Sequence, residues 1–192
     1  MKIVITNTKG GCGKTVSAMF LSLAAAKRGH SVELWDADSQ GSATEWAEMA
    51  AEDGEPLPFD VLPVNAITVG KAGRAEITIV DTPPGDAQVI QKAIDSADLV
   101  IIPAAPSSLD LQRAWQTVAA ASHRPAAVLI TSAEKNTVLL RDTLAVFDDN
   151  DDADRFSTVI TKQQEIRKSQ GRCPERLYGY DELFSEITER ME

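Results

Sequence analysis

A chain of 192 residues, 43% hydrophobic and 25% charged, has the composition of a soluble globular protein and is long enough for one well-buried domain but short for two. No apolar stretch approaches the roughly 20 residues of a membrane span, and Met1 and Lys2 lead straight into an apolar run, so we expect no signal peptide and a cytoplasmic location. A net charge of −10 opposes general affinity for nucleic acid, and two distant cysteines, Cys12 and Cys173, exclude a disulfide framework or a zinc site.

Along the chain, short β-rich apolar runs alternate with longer segments of helical period. That is the pattern of an α/β domain with a mostly parallel, twisted sheet and helices on both faces. Strands are predicted at 2–7, 31–35, 76–80, 98–102, 126–130 and 157–160. Helices are predicted to begin near Lys14, Ser42, Asp86, Ser108 and Thr137, with a last one from Asp181. Gly29 stands where the first helix should stop. Residues 52–58 and the acidic run 148–154 read as exposed loops.

The first strand, Ile3-Val4-Ile5, runs into Thr8-Lys9-Gly10-Gly11-Cys12-Gly13-Lys14-Thr15. Gly10, Gly11 and Gly13 let the backbone turn tightly enough for successive N–H groups to face phosphate oxygens, and a helix starting near Lys14 adds its positive end. Lys14 can reach the β and γ phosphates, and the Thr15 hydroxyl stands where a magnesium ligand is expected, so nucleotide binding over Gly10 to Val16 is the leading reading.

Chemistry on a nucleotide also needs acidic groups at the carboxyl ends of neighbouring strands. Ile77-Thr78-Ile79-Val80 ends in Asp81-Thr82-Pro83-Pro84-Gly85, which puts Asp81 at the mouth of the sheet to hold magnesium directly or through water. Gly85 would let a switch segment approach the γ-phosphate. The second strand ends in Asp36-Ala37-Asp38-Ser39-Gln40. His30 and His123 are the only histidines, which gives Ser-His-Asp chemistry little support.

Thr8 occupies the first glycine position of the G-x-x-x-x-G-K-[ST] pattern and Lys9 follows it. With that early lysine, the string resembles the deviant Walker A loop of the ParA/MinD family of ATPases, and Asp36-x-Asp38-x-Gln40 and Asp81-Thr82-Pro83-Pro84 are similar to its switch and Walker B motifs. Asp98-Leu99-Val100-Ile101-Ile102-Pro103 with Pro106-Ser107-Ser108-Leu109-Asp110 is similar to a strand and helix entry of small ParA and ParF-like plasmid-partition proteins. Val128 to Thr131 and Thr158 to Thr161 fit later strands of that group. Val16 departs from the small hydroxyl residue common after the magnesium threonine, with little effect expected.

The resemblance implies one deviant Walker A ATPase domain over 1–192, with no N-terminal helix-turn-helix extension, that uses ATP, ADP and Mg2+. In it Lys9 would cross a dimer interface to the partner's nucleotide, Lys14 would neutralise phosphate charge, Asp38 would position the attacking water, and Thr15, Asp36 and Asp81 would serve magnesium. The implied role is DNA partition: an ATP-dependent homodimer that rides the nucleoid on non-specific DNA and is reset by hydrolysis stimulated by a centromere-binding adaptor. Residues 155–176 carry Arg155, Lys162, Arg167, Lys168, Arg172 and Arg176 against Glu165 and Glu175, a local basic stretch suited to DNA phosphates.

Two alternatives are an ATP-dependent ligase of the dethiobiotin-synthetase type and a MinD-like positioning ATPase. The last twelve residues are net −4, which anionic lipid would repel, so Leu183, Phe184, Ile187 and Met191 are expected to dock on the core rather than on a membrane. The adenine-contacting residues are open; Thr131 and Ser132 lie after a strand near the expected base.

Overall fold

Alternation along the first strand builds both halves of the core. In the computed structural model, which describes residues 1–148 and 153–191, β1 (Lys2–Ile5) turns Ile3 and Ile5 to one face and Val4 to the other. Around it lie α1 (Lys14–Lys27), β2 (Val32–Asp36), α2 (Ser42–Glu52), β3 (Asp60–Pro63), β4 (Ile77–Asp81) and α3 (Ala87–Asp95). Then follow β5 (Leu99–Ala104), α4 (Ser108–Ala120), β6 (Ala126–Ala133), α5 (Val138–Asp148), β7 (Asp154–Thr161), α6 (Gln164–Lys168) and α7 (Tyr180–Met191). The seven strands form one sheet in the order β3-β2-β4-β1-β5-β6-β7, every neighbouring pair parallel.

Helices α1, α2 and α7 cover one face, where Phe20, Trp46, Leu183, Phe184 and Ile187 are buried. Helices α3, α4 and α5 cover the other through Val89, Ile90, Ala114 and Phe147. Because both faces are covered, β5 is buried along its whole length and reads as a continuous apolar run. The last helix docks on the core as expected: the Tyr180 ring stacks on Phe20 with centroids 5.3 Å apart and its hydroxyl bonds Ser17 at 3.0 Å, although Met191 stays 39% exposed. Each such buried aromatic or aliphatic side chain stabilises by about 1.5–3 kcal/mol.

Helix starts fall close to the predicted positions because their caps are written locally. Asp86 accepts from Gln88 N and Val89 N, and Ser107 accepts from Asp110 N. Gly29, at φ +88°, follows the cap of α1. Two elements were not predicted. Strand β3 is short, largely exposed and ends in Pro63, so it carries no apolar alternation; an edge tolerates it. Helix α6 is a single five-residue turn. Of the acidic run expected as an exposed loop, residues 149–152 lie outside the described residues, Asp148 ends α5 and Ala153 is buried.

Candidate functional site

The loop 6–13 leaves the carboxyl end of the central strand, where β1 sits between β4 and β5 and the strand order reverses. Ligands of open parallel sheets bind at such a point. Gly11 and Gly13 have φ of +74° and +93°, a left-handed backbone that a side chain would strain. Gly13 caps α1 without any side-chain hydrogen bond, so the N–H groups of the first turn stay available to an anion. The stem is held from outside. Asn7 Nδ2 donates to Pro103 O at 2.8 Å, Lys9 N to Asn7 Oδ1 at 3.0 Å, and Thr131 Oγ1 to Cys12 O at 3.1 Å. Cys12 Sγ donates to Lys9 O at 3.3 Å, and burial pushes its thiol pKa up, so this cysteine is a neutral packing group.

The two loop lysines are both engaged. Lys14, 6% exposed, donates from Nζ to Lys9 O at 3.0 Å. Lys9 Nζ reaches Asp110 Oδ1 on α4 at 2.8 Å. Sequence reasoning placed Asp110 in a helix-entry motif and gave it no role, because its lysine partner lies 101 positions away in the chain.

Three carboxylates gather beside the loop. Asp36 and Asp81 end adjacent strands in direct register, and Ala37 N donates to Asp81 O at 2.9 Å. They differ in what they already bind. Asp36 Oδ2 accepts from Thr44 N and Thr44 Oγ1 at 2.9 and 2.8 Å, and its Oδ1 accepts from Asp38 N at 3.2 Å. It thereby caps α2, whose own cap, Gly41, has no side chain to offer. Half-buried Asp38 accepts from Gln40 N at 3.0 Å. Asp81, 1% exposed, has no hydrogen bond of normal length on either carboxylate oxygen. Burial pushes its pKa up to about 7; the nearby Thr15 hydroxyl and Lys14 favour the carboxylate, and Asp36 and Asp38 oppose it.

Next to the loop opens a cavity of about 160 Å³, walled by Gly11, Gly13 and Val16, by Thr131 and Ser132 near the end of β6, and by residues following β7 that include Gln163 and Arg167. Thr131 and Ser132, expected near a base, both line this cavity, Ser132 with a left-handed φ of +53°. Gln163, Ile166 and Tyr180 were missed, since nothing local marks residues brought in by α6 and α7. A larger hollow of about 420 Å³ lies at the opposite end of the sheet, around Lys2, Lys71 and Asp98, away from all these residues.

The six cations of 155–176 do not share one surface. Arg155 opens β7 at the far end of that strand, roughly 20 Å from Lys162 by strand rise, and Asp148 binds its guanidinium at 2.6 Å. Lys162 pairs with Glu134 at 2.8 Å, Arg167 helps wall the cavity, and Arg176 lies over the Tyr178 ring at 5.1 Å. Lys168 and Arg172 are exposed and, among the described residues, have no ion pair. Among the described residues, no helix is long and apolar enough to cross a membrane.

Residues 3–173 match the model of the CobQ/CobB/MinD/ParA nucleotide binding domain. The maintenance of carboxysome distribution protein A of Gloeobacter kilaueensis is 36% identical over 141 residues, 72% of this chain and 62% of that protein. The protein ParA of Rhizobium radiobacter is 33% identical over 112 residues, 56% of this chain and 50% of its own length. The chain therefore spans about half to three fifths of these relatives. A putative plasmid partition protein from Borrelia burgdorferi B31, solved bound to AMPPNP, superposes with a TM-score of 0.77 at 17% identity, covering 98% of this chain and 96% of that one.

Proposed function

Since this chain belongs to the CobQ/CobB/MinD/ParA nucleotide-binding family, we propose that it is an ATP-driven switch of the partition type, a single deviant Walker A domain that binds and hydrolyses ATP. In the ATP form two copies would pair and bind DNA without sequence preference. Hydrolysis to ADP and phosphate, stimulated by a centromere-binding adaptor, would release them. The kinship to ParA supports the partition role, and one observation carries the hydrolytic one: Asp81, buried with both carboxylate oxygens unpartnered beside Thr15 and Lys14. A fold keeps such a group where a ligand supplies the missing interaction.

Those oxygens fit a magnesium ion that arrives with the nucleotide. Asp36, Asp38 and Asp81 lie beside the loop but do not form a three-residue metal cage, so an ion there would keep waters and phosphate oxygens around one carboxylate and one hydroxyl. Thr15 and Asp81 would hold it, and Asp36, occupied with Thr44 and Asp38, would support the shell from outside. When bound, the ion neutralises phosphate charge.

The chain's own groups do the rest. Lys14 would exchange the Lys9 carbonyl for phosphate oxygens, while the free N–H groups of α1 and the left-handed turns at Gly11 and Gly13 cradle them. Asp38 would orient water in line with the scissile bond, and Lys9 of a second copy would add positive charge as it spreads over the phosphoryl oxygens. Lys168 and Arg172, exposed and without an ion pair among the described residues, would contact DNA phosphates. A second reading keeps this switch but gives it a protein body as cargo; the 36% identity to a carboxysome-distribution protein favours it.

Binding to random-sequence duplex DNA at low and moderate salt, with ATP, ADP or no nucleotide, tests the proposal. ATP-selective, salt-sensitive binding is expected. Failure in all three states, with phosphate release that needs a small carboxylic acid substrate, would replace it by a ligase.

A further inference from the structure

The Lys9 to Asp110 pair joins a loop lysine to a side chain for which the hydrolytic site has no other use. Asp110 is the third residue of α4, where a carboxylate ordinarily turns back to the backbone N–H of the capping residue. It does not do so here. The backbone N–H of Ser107 donates to Ala105 O at 2.8 Å, and Asp110 instead accepts the Ser107 hydroxyl on one oxygen and the Lys9 ammonium on the other. Asp110 is 5% exposed and Lys9 about a third exposed, so the carboxylate is fixed and the lysine can leave. Residue 9 is tied a second time through its carbonyl, which accepts from both Lys14 Nζ and Cys12 Sγ.

We propose that Asp110 is a positioning residue that stores Lys9 within its own subunit and so keeps the nucleotide-free chain from pairing. The inference rests on the reading that Lys9 serves the nucleotide of a second copy. A lysine held at 2.8 Å by a buried carboxylate is not presented to a partner, and its departure leaves that carboxylate with only the Ser107 hydroxyl. Nucleotide entry supplies the release. When Lys14 swings from the Lys9 carbonyl to phosphate, residue 9 loses one of the bonds that hold it and keeps those to Cys12 and Asn7, and the incoming partner's phosphates offer its ammonium a stronger acceptor. Storage therefore shifts the equilibrium between a closed monomer and an open, pairing-competent one without touching the nucleotide itself.

The test compares wild type, Asp110→Asn, Ser107→Ala, Lys9→Ala and the Asp110→Asn, Lys9→Ala double variant by sedimentation over a range of protein concentration with and without ATP. Nucleotide affinity and thermal midpoint are read in parallel. Asp110→Asn is expected to pair at roughly ten-fold lower concentration with ATP affinity unchanged, since one half-buried charge-assisted bond no longer opposes release. Ser107→Ala, which disturbs the cap and leaves the ion pair, should not shift pairing. The gain should vanish in the double variant. Asp110→Asn pairing at the wild-type concentration, or a gain that survives without Lys9, overturns storage alone. Wild type that stays monomeric with ATP overturns the dimer reading itself. Should Asp110→Asn fail to fold, 15N NMR of wild type decides: the Lys9 ammonium protons should exchange slowly without nucleotide, and fast exchange there refutes storage.

Discussion

The two ends of the sheet each bury a lysine beside the central strand, and they satisfy it differently. At the amino end Lys2, 7% exposed, donates to the carbonyls of Val69 and Lys71, lies 4.6 Å from the Trp35 ring centroid and has Asp98 nearby. At the carboxyl end Lys14 has one carbonyl. Every buried side-chain oxygen left without a partner among the described residues, on Thr6 and Asp81, is at that same end. Hollows of about 420 Å³ at the amino end and about 500 Å³ beside Glu134 and Lys162 both exceed the 160 Å³ cavity next to the loop, so volume does not identify the site; unsatisfied chemistry does. One end is finished as a structure, and the other is complete only with a ligand.

Lys14→Ala puts the largest strain on this contrast. Phosphate release from ATP should fall by roughly 100-fold or more while the melting temperature hardly moves, because the fold loses a single bond to the Lys9 carbonyl. Near-normal turnover would break the contrast outright. Asp81→Asn should lower hydrolysis by about 30-fold or more and raise stability to denaturant by about 1 kcal/mol, since a buried uncompensated charge is gone. Lys2→Met should do the reverse, lowering stability by about 1–2 kcal/mol by stranding the Val69 and Lys71 carbonyls, with turnover unchanged.

The contrast also appears in pH. The folded pKa of Asp81, about 7, lies above the ordinary 3.8, so the native state holds a proton that the unfolded chain has given up. Without nucleotide or magnesium, stability should therefore fall as pH rises between those values, and Asp81→Asn should flatten the slope. Lys2 is the mirror image. Burial holds its pKa down at about 8 against 10.5, so the native state sheds its proton first and stability should rise with pH across that window, in wild type but not in Lys2→Met. Denaturant midpoints across pH read both slopes, and a shared slope in the two variants would erase the distinction.

Much of the fold was legible because the sheet is parallel and covered on both sides. Runs such as Leu99 to Ala104 are apolar throughout, and caps such as Asp86 and Ser107 are written next to the helices they start. Strand β3 escaped because an exposed edge needs no apolar alternation, and α6 because one turn is too short to show a period. The basic stretch 155–176 misled for a related reason. Charge counted along the chain ignores that β7 carries Arg155 and Lys162 to opposite ends of the sheet.

The sequence by itself determined the turn chemistry of the loop and the strand-end aspartates, because glycine spacing and a strand's last residue are local properties of the chain. Only the tertiary structure decided which of those acids is free. Asp36 and Asp81 look alike in sequence, yet a helix start eight residues on occupies one, while the other has no hydrogen bond of normal length. It also decided that Lys9 lies against Asp110 and that Gln163, Ile166 and Tyr180 wall the cavity. Hydrogen bonds, burial and ion pairs form between groups close in space, and chain distance does not encode that closeness.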